Sequence, residues 1–469
     1  MPDDFLPAPR VVPPLDPDFR PPALARAEFR RRVAEARRSE ALVFALERDQ
    51  DQVSHFRTQV FADSEPESRH NADYAERLLK TLLWQRGARR VLVVGPHSAI
   101  RALPDTYSSR GARAFDAGFF TRVYERAFSV ELAELTELPK QSESVRRLGG
   151  DFSGCRIGFD AGGSDCKVSA LIDGRPLYAA EFPWLPKEQA DPAYHLSMVH
   201  DCIEKARAHL PRLDAIGVSS AGIYVNDQTR VASLFRRVAP ELFEAHIKNI
   251  YVDLGQRFGA AVAVANDGDV AALAGALELG HGALLGLAFG TSLAGGFVDG
   301  ERRIAGWLNE LAFAPHDLSA TAPVDLEWSG DRGTGVHYLS QDAALRLAPR
   351  AGLGLRPATL AEQLRELQAL ADDHDARALS VFESLGVYLG YALLDYAEFY
   401  PMRHVLLLGR VSSGAGGARL LRAARRVLEL EAPALHGALA LHLPNESQRR
   451  VGQALTAASL PILKQPEAP

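Results

Sequence analysis

Residues 158–174 read GFDAGGSDCKVSALIDG: two apolar runs flank a knot of glycines, with Asp160 just before the knot and Asp165 just after. A β-hairpin carrying Asp-x-Gly-Gly-Ser at its turn offers backbone N–H groups and a hydroxyl with no Cβ in the way. Such a nest at Gly162, Gly163 and Ser164 suits phosphate oxygens, and Asp160 can hold a Mg²⁺ through water. About 130 residues later Gly290, Thr291 and Ser292, with Gly295 and Gly296 just beyond, repeat the device. Two such hairpins facing each other would clasp a polyphosphate from both sides.

Outward from the first hairpin, PLYAAEFPW (176–184) continues the meander and AYHLSMVHDCIEKARAHL (193–210) has helical spacing. DAIGVSS reads as a strand ending in the turn AGIYVND (221–227). AVAVANDGDVAALAG (261–275) reads as a buried strand, a polar break at Asn266–Asp267, then a helix. The β-hairpin–helix–strand theme starts once at 156 and again at 284, so the chain is α/β with two similar halves. Upstream, residues 1–21 are Pro-rich and extended, and 22–38 form an Arg-rich helix. LVFALERDQDQVSHFRTQVF (42–61) alternates as a hairpin; a helix bearing Leu78, Leu79, Leu82 and Leu83, a strand at 89–96 and a helix at 115–127 follow. The expected division is therefore 1–40 arm and helix, 41–150 small α/β extension, 151–275 first half and 276–469 second half.

At 469 residues, 47% hydrophobic and 24% charged, the chain has enough apolar residue for more than one core. A formal net charge of −6 argues against nucleic-acid binding, and the stretch 283–298 is too short and glycine-rich to span a bilayer. Three cysteines without C-x-x-C spacing make no disulfide framework, which with the absent apolar leader points to the cytoplasm.

Five motifs in order resemble the ROK family of sugar kinases and repressors, within the actin-like ATPase superfamily. DAGGSDCKVSALIDG is similar to its first phosphate loop, GVSSAGIYVND (217–227, with Gly222) to its connecting loop, and ANDGDVAALAG to its Asn-Asp segment. FGTSLAGGFVDG (289–300) is similar to the second phosphate loop, and LLLGRVSSGAGGARLL (406–421) to the adenosine loop. VGQALTAASLP (451–461) resembles the closing helix, which in the family returns to the first half. The likeness covers about 151–465 and leaves 1–150 unexplained. It implies two actin-like, ribonuclease H-like halves with a cleft between them, ATP and Mg²⁺ as cofactors, and a sugar or polyol as acceptor. Asp267 would be the general base and Asn266 would touch the sugar. Gly409, Gly414, Gly416 and Gly417 would admit the purine, and a homodimer is compatible with the family.

The departures from the family pattern are specific. In LNELAFAPHD (308–317) Glu310 is kept, but Phe313 stands where a sugar-binding histidine is usual, with His316 three residues on as a possible stand-in. The zinc-binding cysteines should lie near 328–343; none is there, and Val336 and His337 stand about where a glutamate follows them. A glucose hydroxyl facing Phe313 is thus expected to lack its partner, with His316 and His337 as the possible stand-ins. This favours a kinase for something other than glucose. The alternatives are a non-catalytic sugar-sensing regulator and an actin-like ATPase with a non-sugar substrate. No structural zinc is expected, and elemental analysis of purified protein checks it: one zinc per chain would overturn this reading of 328–343.

Overall fold

The computed structural model describes residues 3–143, 148–356, 359–443 and 452–463. The N-terminal arm leads into α1 (Pro22–Glu35), started by Pro22 at its first position, where a missing N–H costs nothing. The hairpin β1 (Ser39–Glu47) and β2 (Val53–Phe61) turns through Gln50 and Asp51, both with positive φ. Helix α2 (Asn71–Arg86) buries Leu78, Leu79, Leu82 and Leu83. Strand β3 (Arg90–Val94), α3 (Ala114–Tyr124) and β4 (Ser129–Leu132) complete a sheet of order β2-β1-β3-β4. In it β1 is antiparallel to both neighbours and β3 is parallel to β4.

The next sheet begins with the hairpin β5 (Cys155–Ala161) and β6 (Asp165–Ile172), extended by β7 (Arg175–Pro183). Helix α4 (Pro192–Arg207), capped by Asp191, crosses to β8 (Ala215–Ser220). The short pair β9 (Ile223–Val225) and β10 (Gln228–Val231) precedes β11 (Ala261–Asn266), which runs straight into α5 (Asp267–Leu279). The five strands order as β11-β8-β5-β6-β7, with β5, β8 and β11 parallel. Buried Ile157, Phe159, Val168, Val199, Ile203, Ile216 and Val218 form one core between this sheet and its helices.

A four-stranded sheet of order β13-β12-β14-β15 closes the chain, from β12 (Leu284–Phe289), β13 (Leu293–Val298), β14 (His404–Leu408) and β15 (Ala440–His442). Helices α6 (Ala376–Tyr396) and α7 (Gly414–Glu431) belong to the same part, and α8 (Gly452–Ala457) packs on β5, β8 and α5. The expected closing helix begins at Val451, which lies outside the described residues. Among the described residues α6 is the one helix long and apolar enough to cross a membrane, and 78% of its apolar window is buried inside the protein.

The chain divides into two compact units. One comprises Met1–Ser144, Leu287–Gly295 and Trp307–Leu443; the other comprises Val145–Gly286, Gly296–Gly306 and Pro444–Pro469. The first break falls at 144, and 1–144 shares a unit with 307–443. The reason is a common core. Phe19, fully buried, sits among the rings of His316, Tyr338, Tyr388 and Tyr391 at centroid distances of 4.9–5.9 Å. Asp16 accepts from the Tyr388 hydroxyl at 2.6 Å, the Arg20 N–H donates to Asp317 at 2.9 Å, and Arg26 pairs with Asp395 and Glu398 on and after α6. The Pro-rich arm is a strap built into the unit. Phe19→Ala should therefore cost about 3–5 kcal/mol, the usual range for emptying a buried aromatic site. Thermal denaturation of the full chain checks it; an unchanged midpoint would mean the arm is dispensable.

Candidate functional site

The parallel strands β5, β8 and β11 end together, and in such sheets ligands bind beyond the carboxyl ends. Pairing register decides what meets there. Asp160 on β5 lies opposite Ser219 on β8 and Lys167 on β6. Ser219 Oγ donates to Asp160 Oδ1 at 2.7 Å, while Lys167 Nζ stands 4.0 Å from Asp160 Oδ2 and pairs with Asp165. Burial pushes the Asp160 carboxyl up to about 6, against the opposing pull of the Ser219 hydrogen bond and Lys167. Asp165 is thus tied to Lys167 and also accepts from Ser164 Oγ at 3.1 Å.

Gly162 is forced by the turn, because a Cβ there would lie 2.8 Å from the Asp165 carbonyl. Trp184, buried, steadies that turn by donating Nε1–H to the Gly162 carbonyl at 2.8 Å, and its own N–H reaches the Ser164 carbonyl at 3.2 Å. Above Gly163 the one close neighbour is Lys187 Nζ, 3.3 Å from where a Cβ would stand.

Asn266 caps α5: its Oδ1 accepts from the Gly268 N–H at 2.8 Å and its Nδ2 donates to the Gly222 carbonyl at 2.7 Å. Gly222 has φ 138°, and a Cβ there would lie 2.6 Å from the Val231 carbonyl, so only glycine holds the Gly222 carbonyl against Asn266. Asp267 opens the helix half-buried, with its Oδ1 accepting from the Gly268 N–H at 3.0 Å. Burial raises its carboxyl above the ordinary value, offset by the helix N–H groups and by the charge of Lys187. A half-buried carboxylate with raised basicity at a strand–helix junction has the properties of a general base.

The remaining expected residues belong to the other unit. Gly290, Thr291 and Ser292 form an exposed turn, closed by the Gly290 N–H to the Ser292 carbonyl at 3.0 Å. Gly409 (φ 95°) presses on the Phe289 carbonyl, and Gly414 (φ 65°) lies beside Asp372, which caps α7 by accepting from the Ala415 N–H at 2.8 Å. Gly416 and Gly417 are required by internal packing: a Cβ would meet the Phe382 ring at 2.7 Å and the Ser412 carbonyl at 2.0 Å. Glu310 is half-buried at the start of a short 3-10 turn.

Two expectations change. Phe313 does not present its ring as an isolated wall for a sugar hydroxyl. It packs against Trp84, Phe115 and Phe119 of the extension, with centroids 4.5, 5.7 and 6.2 Å away. His316 is no free stand-in: it is 4% exposed inside the Phe19 aromatic box, and burial lowers it to about 3. His337 is half-buried, is lowered by burial, and has its Nε2 enclosed without a hydrogen-bond partner.

Within 328–343, Asp331 accepts Lys80 at 3.0 Å, Arg113 at 2.9 Å and Arg77 at 3.3 Å, all from the extension. Burial alone would raise Asp331; Lys80 and Arg77 outweigh it and hold it low. Sequence reasoning missed Lys167, Trp184 and Lys187, whose roles depend on pairing register and on a loop folding back.

No protein-family model matches the sequence, and none of the curated proteins does. Solved structures do. A ROK hexokinase from Thermus thermophilus superposes with a TM-score of 0.50 at 24% identity, covering 65% of this chain and 98% of that one. A ROK family transcriptional regulator, homologous to the E. coli MLC protein, gives 0.51 at 18% identity over 66% and 78%. A sugar kinase described as putative, from Cytophaga hutchinsonii, gives 0.51 at 16% identity over 65% and 98%. The fold is the ROK fold. These neighbours leave about a third of the chain unmatched.

An acid raised by the folded state is protonated there while the unfolded chain has already ionised. Asp160 therefore costs stability progressively from its unfolded value of about 3.8 upward, and fully above about 6. Asp160→Asn should raise the thermal midpoint near pH 8 and leave it unchanged near pH 4. Equal effects at both pH values would contradict the buried ionised carboxylate.

Proposed function

We propose that the protein transfers the γ-phosphoryl group of ATP to a hydroxyl of a sugar or sugar-like polyol. The observation that carries this reading is the Asp267 carboxylate, its basicity raised by burial, opening α5 beside Asn266. Asp267 takes the acceptor proton as the hydroxyl oxygen bonds to phosphorus and the bond to the ADP oxygen breaks. Asn266, locked to Gly222, is the candidate to orient that hydroxyl. The hairpin backbone at Gly162–Ser164, with Lys187 above it, supplies donors for phosphate oxygens.

The residues fit a hydrated magnesium ion: Asp160 is a buried carboxylate at a strand end whose charge burial disfavours, so a cation beside it relieves that cost. No group of three or more His, Cys, Asp or Glu side chains among the described residues forms a metal cage, so Asp160 would act with water and nucleotide phosphates. When bound, the ion would neutralise charge on the transferring group.

Phe313, committed to the extension's aromatic cluster, supports an acceptor other than glucose, because the hydroxyl that a histidine would hold has no polar partner there. The same packing favours the second reading, a sugar-sensing regulator without catalysis, for which the fold offers precedent in the regulator noted above. Nucleic acid and membrane play no part in either reading, and a homodimer in a cytoplasmic setting is compatible with both. ATP depletion over a panel of sugars, amino sugars and polyols separates the two. In the kinase reading one acceptor turns over well and glucose poorly, and Asp267→Asn lowers kcat by about 10²–10⁴ with ATP affinity retained. Binding of a sugar without ATP consumption by the unmodified protein would favour the regulator.

A further inference from the structure

Cys166 and Cys202 are both fully buried, and their sulfurs lie 3.4 Å apart. Cys166 is the second residue of β6, directly after the hairpin turn, paired with Ala161 on one side and Phe182 on the other. Cys202 lies in the second half of α4, the helix that packs on β5 and β6. Each cysteine therefore sits on a different element, and the only covalent change needed to join them is closing the sulfurs to a bond of ~2.05 Å.

We propose that Cys166 and Cys202 form a reversible disulfide that staples the phosphate hairpin to α4 and makes the hairpin's mobility depend on oxidation. A peroxide is the oxidant. The Cys202 thiolate attacks one peroxide oxygen, giving a sulfenic acid and hydroxide. The proton that Cys202 gave up converts this hydroxide to water; the Cys166 sulfur then attacks the sulfenic sulfur, and the displaced hydroxide takes the Cys166 proton and leaves as the second water. Two thiols and one hydrogen peroxide thus become one disulfide and two waters, the two electrons passing to the peroxide oxygens.

The polarity of that reaction follows from the surroundings. Cys166 Sγ donates to the Phe182 carbonyl at 3.7 Å, an acceptor that disfavours a thiolate beside it, so the thiolate is favoured on Cys202. Lys205, one turn further along α4 and stacked on the Phe182 ring at 4.3 Å, adds a positive charge on that side. Cys155, at the start of β5, is the buried control thiol.

The bond itself needs nothing from the proposed phosphoryl transfer; its effect on nucleotide binding rests on that reading. The test treats the full chain with hydrogen peroxide, then denatures, blocks free thiols with a maleimide and digests without reductant. The expected result is a Cys166–Cys202 linked peptide, loss of two of the three thiols and reversal by dithiothreitol. Amide exchange at 161–168 should slow at least threefold in the oxidised protein. Cys202→Ser should abolish both effects while keeping the native circular dichroism. Three free thiols, or sulfinic acid without a linked peptide, would overturn the proposal; a linked peptide with unchanged exchange would overturn the staple. Affinity for a non-hydrolysable ATP analogue, measured on both forms, should differ at least threefold. No binding by either form would count against phosphoryl transfer and leave the disulfide decided by the peptide alone.

Discussion

The contact on which the first unit depends is the packing of α2 over residues 307–313. Trp84 meets the Phe313 ring, the Gln85 and Arg86 carbonyls accept the Asn309 and Leu308 N–H groups, and the Arg86 guanidinium lies 3.2 Å over the Trp307 ring. This is core packing between segments more than two hundred residues apart. The Asp331 ion cluster, which takes Lys80, Arg77 and Arg113 from the extension, adds a second attachment a short distance along the chain. An apolar ring and three cations from the extension thus anchor the stretch 307–331 within one unit.

The second unit depends on register instead. Because β5 lies between β6 and β8, Asp160 must have one neighbour from each, and those neighbours are Lys167 and Ser219. The cost of keeping a carboxylate in that position is offset only partly by a hydroxyl and a distant ammonium. Keeping that carboxylate buried costs stability wherever it is ionised.

The hairpin, the strand–helix junction at Asn266–Asp267 and the order of elements were legible in the sequence because each is local: alternation, a glycine knot and a polar break announce themselves within a dozen residues. The substitution at Phe313 was equally visible, but its meaning was not. Its partner Trp84 is on a helix whose own pattern is satisfied by Leu78, Leu79, Leu82 and Leu83, so nothing in that helix signals a second face in use. His316 failed as a candidate for a similar reason, since the ring that encloses it, Phe19, comes from a Pro-rich arm with no periodicity to read. Lys187 and Trp184 lie in a loop between β7 and α4 and come back to the hairpin only in three dimensions.

The strap formed by the first residues has a consequence for biosynthesis. Asp16 and Phe19 leave the ribosome early, yet Tyr388, which binds both, is made 372 residues after Asp16. At ordinary elongation rates that delay is roughly 20–75 s. Through that interval the arm has no site to occupy, and the aromatic box it completes does not exist. The second unit can close on most of its strands meanwhile, whereas the aromatic box of the first must wait for α6. A nascent chain halted before α6 exposes Phe19 to whichever chaperone or protease reaches it first.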